Sequence, residues 1–183
     1  MRKIFSLIFL LFALSLSSSI AQTALKVGQT VPNITLLSTS GTMYDFNSQK
    51  NAKGFIVIFM TPTCDHCIAY EPRVMALDKK YKAKGYPVVA IGPYGDNPIK
   101  YPLDAMPEMK KLALNKGFTF PYLSDTNFKY TFMLGIKETP TAAILQKTSK
   151  GLLIKYIGRI DDENNPKLTP KNKFVEQQVS KLL

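Results

Sequence analysis

The run Phe55-Ile56-Val57-Ile58-Phe59-Met60 is continuously apolar and rich in β-branched residues, and it is bounded by Lys53-Gly54 and Thr61-Pro62. No polar residue alternates with the apolar ones, so both faces of the segment have to be covered. That is the signature of an interior strand packed between two layers. Beyond it, Cys67, Val74, Leu77 and Tyr81 recur at helical spacing and the pattern stops at Lys84-Gly85, which predicts an amphipathic helix. Pro72 falls inside that helix, where it lacks a donor and crowds the carbonyl four residues back, and it predicts a kink. A second apolar run, Tyr86 to Ile91, follows at once. Strand, helix and strand in this order predict a parallel βαβ unit, and therefore the α/β class.

The rest of the chain fits around that unit. Leu25 to Asn47 predicts extended structure leading into the domain, MPEMKKLALNKG a helix stopped by Gly117, and FTFPYL a short strand. DTNFKYTFMLGI predicts a helix with Asp125 as its N-cap. TAAILQ and LLIKYIGR, separated by KTSKG, have the pattern of a hairpin. The tail TPKNKFVEQQVSKLL, from Thr169 onward, predicts a final amphipathic helix. Neither a repeat nor a break in composition divides the chain, so one domain is expected over residues 22–183.

Residues 1–21 have the form of a secretory signal peptide: Arg2 and Lys3, an apolar run from Ile4 to about Leu16, and a small-residue exit ending at Ala21. The run is short for a membrane span, which needs about 20 apolar residues. The expectation is an exported chain, periplasmic or secreted, with no stable membrane insertion once the leader is removed. The formal charge is +11, but the lysines are scattered over what read as solvated helix faces. No nucleic-acid motif accompanies them, so a nucleic-acid partner is not expected.

Both cysteines of the protein lie in the heptapeptide TPTCDHC, Thr61 to Cys67. Cys64 falls at the junction of strand and helix, where unpaired backbone donors and the helix dipole favour an anion and so a thiolate. His66, the single histidine, adds a possible positive charge, while Asp65 opposes a thiolate. Cys67, one turn further on, should face inward as the less accessible sulfur. This division makes Cys64 the attacking thiolate and Cys67 the resolving thiol. Other uses of two cysteines are weaker. Covalent haem needs a histidine directly after the second cysteine, and position 68 is Ile. A structural zinc site wants four ligands, against two cysteines and one histidine in the chain. A structural disulfide closing so small a loop removes little chain entropy.

On these residues the chain resembles the thioredoxin superfamily, in the branch that holds peroxiredoxin-like redoxins and exported thioredoxin-like oxidoreductases. The resemblance runs from about Val27 to Leu183. It rests on FIVIFM, the pair in CDHC, Pro72 five residues after the second cysteine, and Thr139-Pro140 ahead of TAAILQ. YPLDAMPEMKKLALNKGFTFPYL and YIGRIDD are similar to a peroxiredoxin-like subgroup. The resemblance implies a thioredoxin-like fold with a central mixed sheet flanked by helices, the CxxC pair at the N-terminus of the first core helix, and a cis Thr139-Pro140 bond. It also implies a thiol-disulfide oxidoreductase that needs no cofactor beyond the redox-active pair and no metal. Its partners would be protein thiols and disulfides and an upstream redox protein. Thr139, Pro140 and Arg159 would contact substrate, and Glu71 is a candidate for proton transfer to Cys67. Ile58 stands where thioredoxin has a buried Asp, and Thr63 where a Trp often precedes the pair. TPTC also resembles the end of the peroxiredoxin motif, in which Thr61 would help to hold a peroxide at Cys64, but Val57 replaces the proline of that motif. Thiol peroxidase is thus the alternative activity, and a metal-handling or binding module a third.

Overall fold

Gly54–Phe59 forms a strand, β4, in which every residue is buried. The structure, a computed structural model, describes residues 23–183; the expected leader, residues 1–21, lies outside the described residues. Because a strand's side chains point alternately to its two faces, β4 serves two cores. Ile56 and Ile58 join one hydrophobic cluster, and Phe55, Val57 and Phe59 join another on the opposite face.

The helix α1, Asp65–Tyr81, continues from β4 and places Cys67, Tyr70, Val74 and Leu77 against the Ile56 face. It runs as a single helix of 17 residues through Pro72, whose ring is exposed. A short 3-10 turn, Lys82–Lys84, ends at Gly85, where φ is +90°. Such a left-handed backbone suits a residue without Cβ. The chain then enters β5, Val88–Gly92, which pairs in parallel with β4, as the βαβ expectation required.

The remaining elements are β1 (Thr30–Val31), β2 (Thr35–Ser38), β3 (Met43–Asp45), α2 (Met106–Lys116), β6 (Tyr122–Ser124), α3 (Lys129–Met133), β7 (Thr141–Thr148), β8 (Gly151–Gly158) and α4 (Phe174–Ser180). The strands form one mixed sheet in the order β1-β8-β7-β4-β5-β6-β2-β3. β4, β5 and β6 are parallel, while β7 runs antiparallel to both β4 and β8. The central mixed sheet and the β7-β8 hairpin agree with the sequence, and α2 stops at Gly117 with φ of +65°.

Three boundaries differ from the sequence expectations. The strand expected at FTFPYL is displaced to Tyr122–Ser124, since Pro121 has no donor and contributes only its carbonyl, to Ala90 N at 2.9 Å. The tail helix begins at Phe174 rather than Thr169. Pro170 disfavours a helical Thr169, and Asn172 is drawn into a loop by bonds from its backbone and side-chain nitrogens to the Asp162 carboxylate, at 2.9 and 2.7 Å. The helix expected from Asp125 is broken: within a 3-10 turn, Thr126–Phe128, Asn127 and Phe128 take φ of +51° and +56°, and α3 starts only after it. Asp125 caps the second piece. Its carboxylate accepts from Tyr130 N at 3.1 Å, Thr131 N at 2.8 Å and the Thr131 hydroxyl at 2.7 Å.

Candidate active site

Cys64 is the N-cap of α1. Its backbone is extended, and its Sγ accepts the N–H of Cys67 at 3.1 Å, one of the donors that a helix start leaves unpaired. The same sulfur donates to the carbonyl of Thr139 at 3.3 Å. The meeting of two segments 75 residues apart follows from sheet register. β7 pairs with β4 so that Thr141 lies opposite Phe59, and the residues just before β7 come to rest beside those just after β4. The Thr139-Pro140 bond is cis, as the resemblance implied.

The two thiols, both free, differ in environment. Cys64 is half-buried, whereas Cys67 is 1% exposed and packed in the core. Burial first, and then its contact with the Cys64 sulfur, pushes the Cys67 thiol up to about 12. The deprotonated form of Cys67 is therefore disfavoured until another group takes its proton.

A cleft of about 220 Å³ opens beside the pair, lined among others by His66, Tyr70, Glu138, Thr139, Pro140 and Arg159. Of the residues singled out from sequence, the structure thus gathers His66, Thr139, Pro140 and Arg159 along one wall of Cys64. It does not place Thr61 there: Thr61 is buried, at 4% exposure, at the inner end of the turn. Asp65 is exposed in the first turn of α1 and does not line the cleft.

Glu71 faces inward and is 3% exposed. As the residue four positions after Cys67 it shares that residue's helix face. One carboxylate oxygen, Oε2, forms an ion pair with Lys116 Nζ at 2.8 Å, and the other, Oε1, is buried with no hydrogen-bond partner among the described residues. Nearby, the Tyr122 hydroxyl donates to Met60 O at 2.8 Å. Burial raises that hydroxyl's pKa well above its ordinary value, and the neighbouring Cys67, Asp104, Glu71 and Cys64 add to the effect.

Three supporting residues were not legible in the sequence. Asp161 is 3% exposed. It accepts from the Tyr70 hydroxyl at 2.9 Å and from Arg73 at 3.0 Å. Arg73 also donates to the carbonyls of Glu163, Asn165 and Leu168, so that α1 anchors the segment behind the cleft. Asp104, just before α2, reaches back to Thr63 at 2.8 to 2.9 Å. The only local signal was an acidic residue beside a helix start, which points to the helix and not to the cysteines.

A larger cleft, about 1010 Å³, opens at the opposite end of the parallel strands, between Ala52, Asp78, Lys82, Val88 and Phe118. It lacks His66 and Thr139, which line the smaller cleft, and the Thr139 carbonyl is the group that meets Cys64. Among the described residues no group of three or more His, Cys, Asp and Glu side chains forms a metal-sized cluster.

No curated protein sequence matches the chain. Solved structures do. An uncharacterized conserved protein from Geobacillus kaustophilus is 24% identical with a TM-score of 0.70, over 83% of this chain and 78% of that one. A thiol:disulfide interchange protein of the thioredoxin family from Chlorobium tepidum TLS is 17% identical with a TM-score of 0.56, over 87% and 98%. The pneumococcal exposed lipoprotein thioredoxin from Streptococcus pneumoniae strain TIGR4 is 17% identical with a TM-score of 0.57, over 81% and 98%. These similarities show the thioredoxin-like fold. The Redoxin family model matches residues 26–174, and with the sheet, the cysteine pair and the cis-proline in place, the chain belongs to the Redoxin family of the thioredoxin superfamily.

Proposed function

We propose that the protein is an exported thiol-disulfide oxidoreductase that exchanges disulfides with polypeptide substrates through Cys64 and Cys67. The observation that carries the reading is the contrast between the sulfurs: Cys64 at the rim, 3.3 Å from the Thr139 carbonyl, and Cys67 sealed beneath it. An extended substrate can lie along the cleft between His66 and Arg159, with its sulfur over Cys64 and its backbone alongside Thr139.

In the reducing direction the Cys64 thiolate attacks one sulfur of a substrate disulfide. The Cys64–substrate bond forms, the substrate S–S bond breaks, and one substrate thiolate leaves. Cys67 then loses its proton and attacks Cys64 Sγ. The Cys64–Cys67 disulfide forms and the second substrate thiolate departs, having accepted two electrons in total. The same steps reversed oxidise a dithiol. Glu71 Oε1, buried and unpartnered on the Cys67 face, is an acceptor suited to the proton of Cys67.

The test is a pair of variants assayed against a protein disulfide. Cys64→Ser should abolish exchange, and Cys67→Ser should accumulate mixed disulfides visible by non-reducing electrophoresis. Full activity in the Cys64→Ser protein would sink the assignment. Peroxidase activity is the competing reading, and Val57, standing where the peroxidase motif has proline, disfavours it; peroxide consumption faster than disulfide exchange, side by side in the same preparation, would reverse the preference.

A further inference from the structure

Asp104 lies outside the cleft and outside the helix that carries the cysteines, yet it grips the residue directly before Cys64. Thr63 donates its backbone N–H to Asp104 Oδ1 at 2.9 Å, and its hydroxyl lies 2.9 Å from Oδ1 and 2.8 Å from Oδ2. These bonds join positions 41 residues apart. The turn is otherwise tied at its two ends, by Met60 N to Ile91 O and Ile68 N to Cys64 O, each at 3.0 Å, whereas between them Cys64 N reaches Thr61 O only at 3.4 Å. Asp104 itself stands on firm ground. Its N–H donates to Tyr101 O at 3.1 Å, the next residue Ala105 is 1% exposed and caps α2, and Met106 N donates to Gly95 O at 2.9 Å.

We propose that Asp104 is a positioning residue for Cys64: by accepting both donors of Thr63 it fixes the turn that sets Sγ between Cys67 N and the Thr139 carbonyl. The proposal rests on the disulfide-exchange reading for what Cys64 does, but not for where Cys64 sits. Displacing a reacting atom by about 1 Å can cost about a hundredfold in rate, and a site held by side chains from a second segment keeps its geometry better than a bare turn. Removing the acceptor should therefore slow attack by Cys64, and an acceptor of the same shape without the charge should preserve it.

The experiment is the rate of alkylation of reduced protein by iodoacetamide, which reads Cys64 because Cys67 is buried, together with the equilibrium reduction potential of the pair. Four variants are compared with the wild type: Asp104→Ala, Asp104→Asn, Thr63→Val and the double variant Asp104→Ala/Thr63→Val. Asp104→Ala should slow alkylation about tenfold, the worth of about one hydrogen bond to a charged group, because a displaced Sγ loses the Cys67 N–H, and it should displace the potential. Thr63→Val, which keeps the backbone bond, should slow it by less. Asp104→Asn, which retains an acceptor without the charge, should recover most of the loss. The double variant should be no slower than Asp104→Ala, because both substitutions remove the same contact. An Asp104→Ala protein that alkylates at or above the wild-type rate with an unmoved potential overturns the proposal, as do two effects that simply add. Should Asp104→Ala fail to fold, Thr63→Val decides alone, and a wild-type rate and potential there count against the latch. Neither readout uses a protein substrate, so failure of the wild type to reduce protein disulfides would overturn the exchange reading and leave the positioning result standing.

Discussion

Cys64 and Cys67 are one helical turn apart, and the difference in their burial decides their chemistry. At neutral pH a thiol pushed up to about 12 is almost wholly protonated, so resolution of a mixed disulfide waits on proton removal. Because the shift is upward, the reactive thiolate becomes more populated as pH rises toward that value. Release of a substrate from Cys64, followed by stopped flow, should therefore quicken from about pH 7 to about pH 9, and Glu71→Gln should slow it at neutral pH by roughly a hundredfold, the lower end of general-base contributions. A Glu71→Gln protein with unaltered release would remove that carboxylate from the mechanism. The cysteines were legible in the sequence, and the resemblance added Thr139-Pro140 and Glu71, four residues beyond Cys67. Its 3% exposure was not legible, because Lys116, which covers it, arrives from another helix.

Among the elements, the broken segment after β6 departs most from its local pattern. DTNFKYTFMLGI has helical periodicity and a capping residue at its head, and an isolated chain would favour one helix there. Tertiary contacts override this. Phe128 is drawn towards Tyr94 and Phe132, with ring centroids 5.5 Å away in each case, and Asn127 N donates to Asp96 Oδ2 at 2.8 Å. A left-handed residue other than glycine costs about 1 to 2 kcal/mol, and the bonds to the buried Asp125 carboxylate offset that cost. Asp125→Ala should lower the free energy of unfolding by about 1 to 3 kcal/mol, read from urea midpoints. A shift within about 0.5 kcal/mol, the ordinary range for surface changes, would mean that the cap holds nothing.

At the level of the whole molecule, Arg73 and Asp161 tie α1 to the segment that closes the cleft from behind. Arg73→Leu would leave a nearly buried carboxylate with the Tyr70 hydroxyl and the Glu163 N–H but without its cation. Losing one partner of such a pair costs about 3 kcal/mol, and limited proteolysis should then cut within residues 163–170; resistance equal to the wild type would show that other contacts hold the segment. The amino-acid sequence determined the interior strand, the helix after it, the parallel return strand and the late hairpin, because each is a periodicity of consecutive side chains or a residue with one backbone preference. Only the tertiary structure decided which residues share the site. The sheet pairing of Phe59 with Thr141 brings Thr139 to Cys64, α2 carries Lys116 over Glu71, and the loop before α2 delivers Asp104 to Thr63. Each of these contacts spans tens of residues, and its energy depends on where the packed layers put two side chains rather than on the neighbours either one has along the chain.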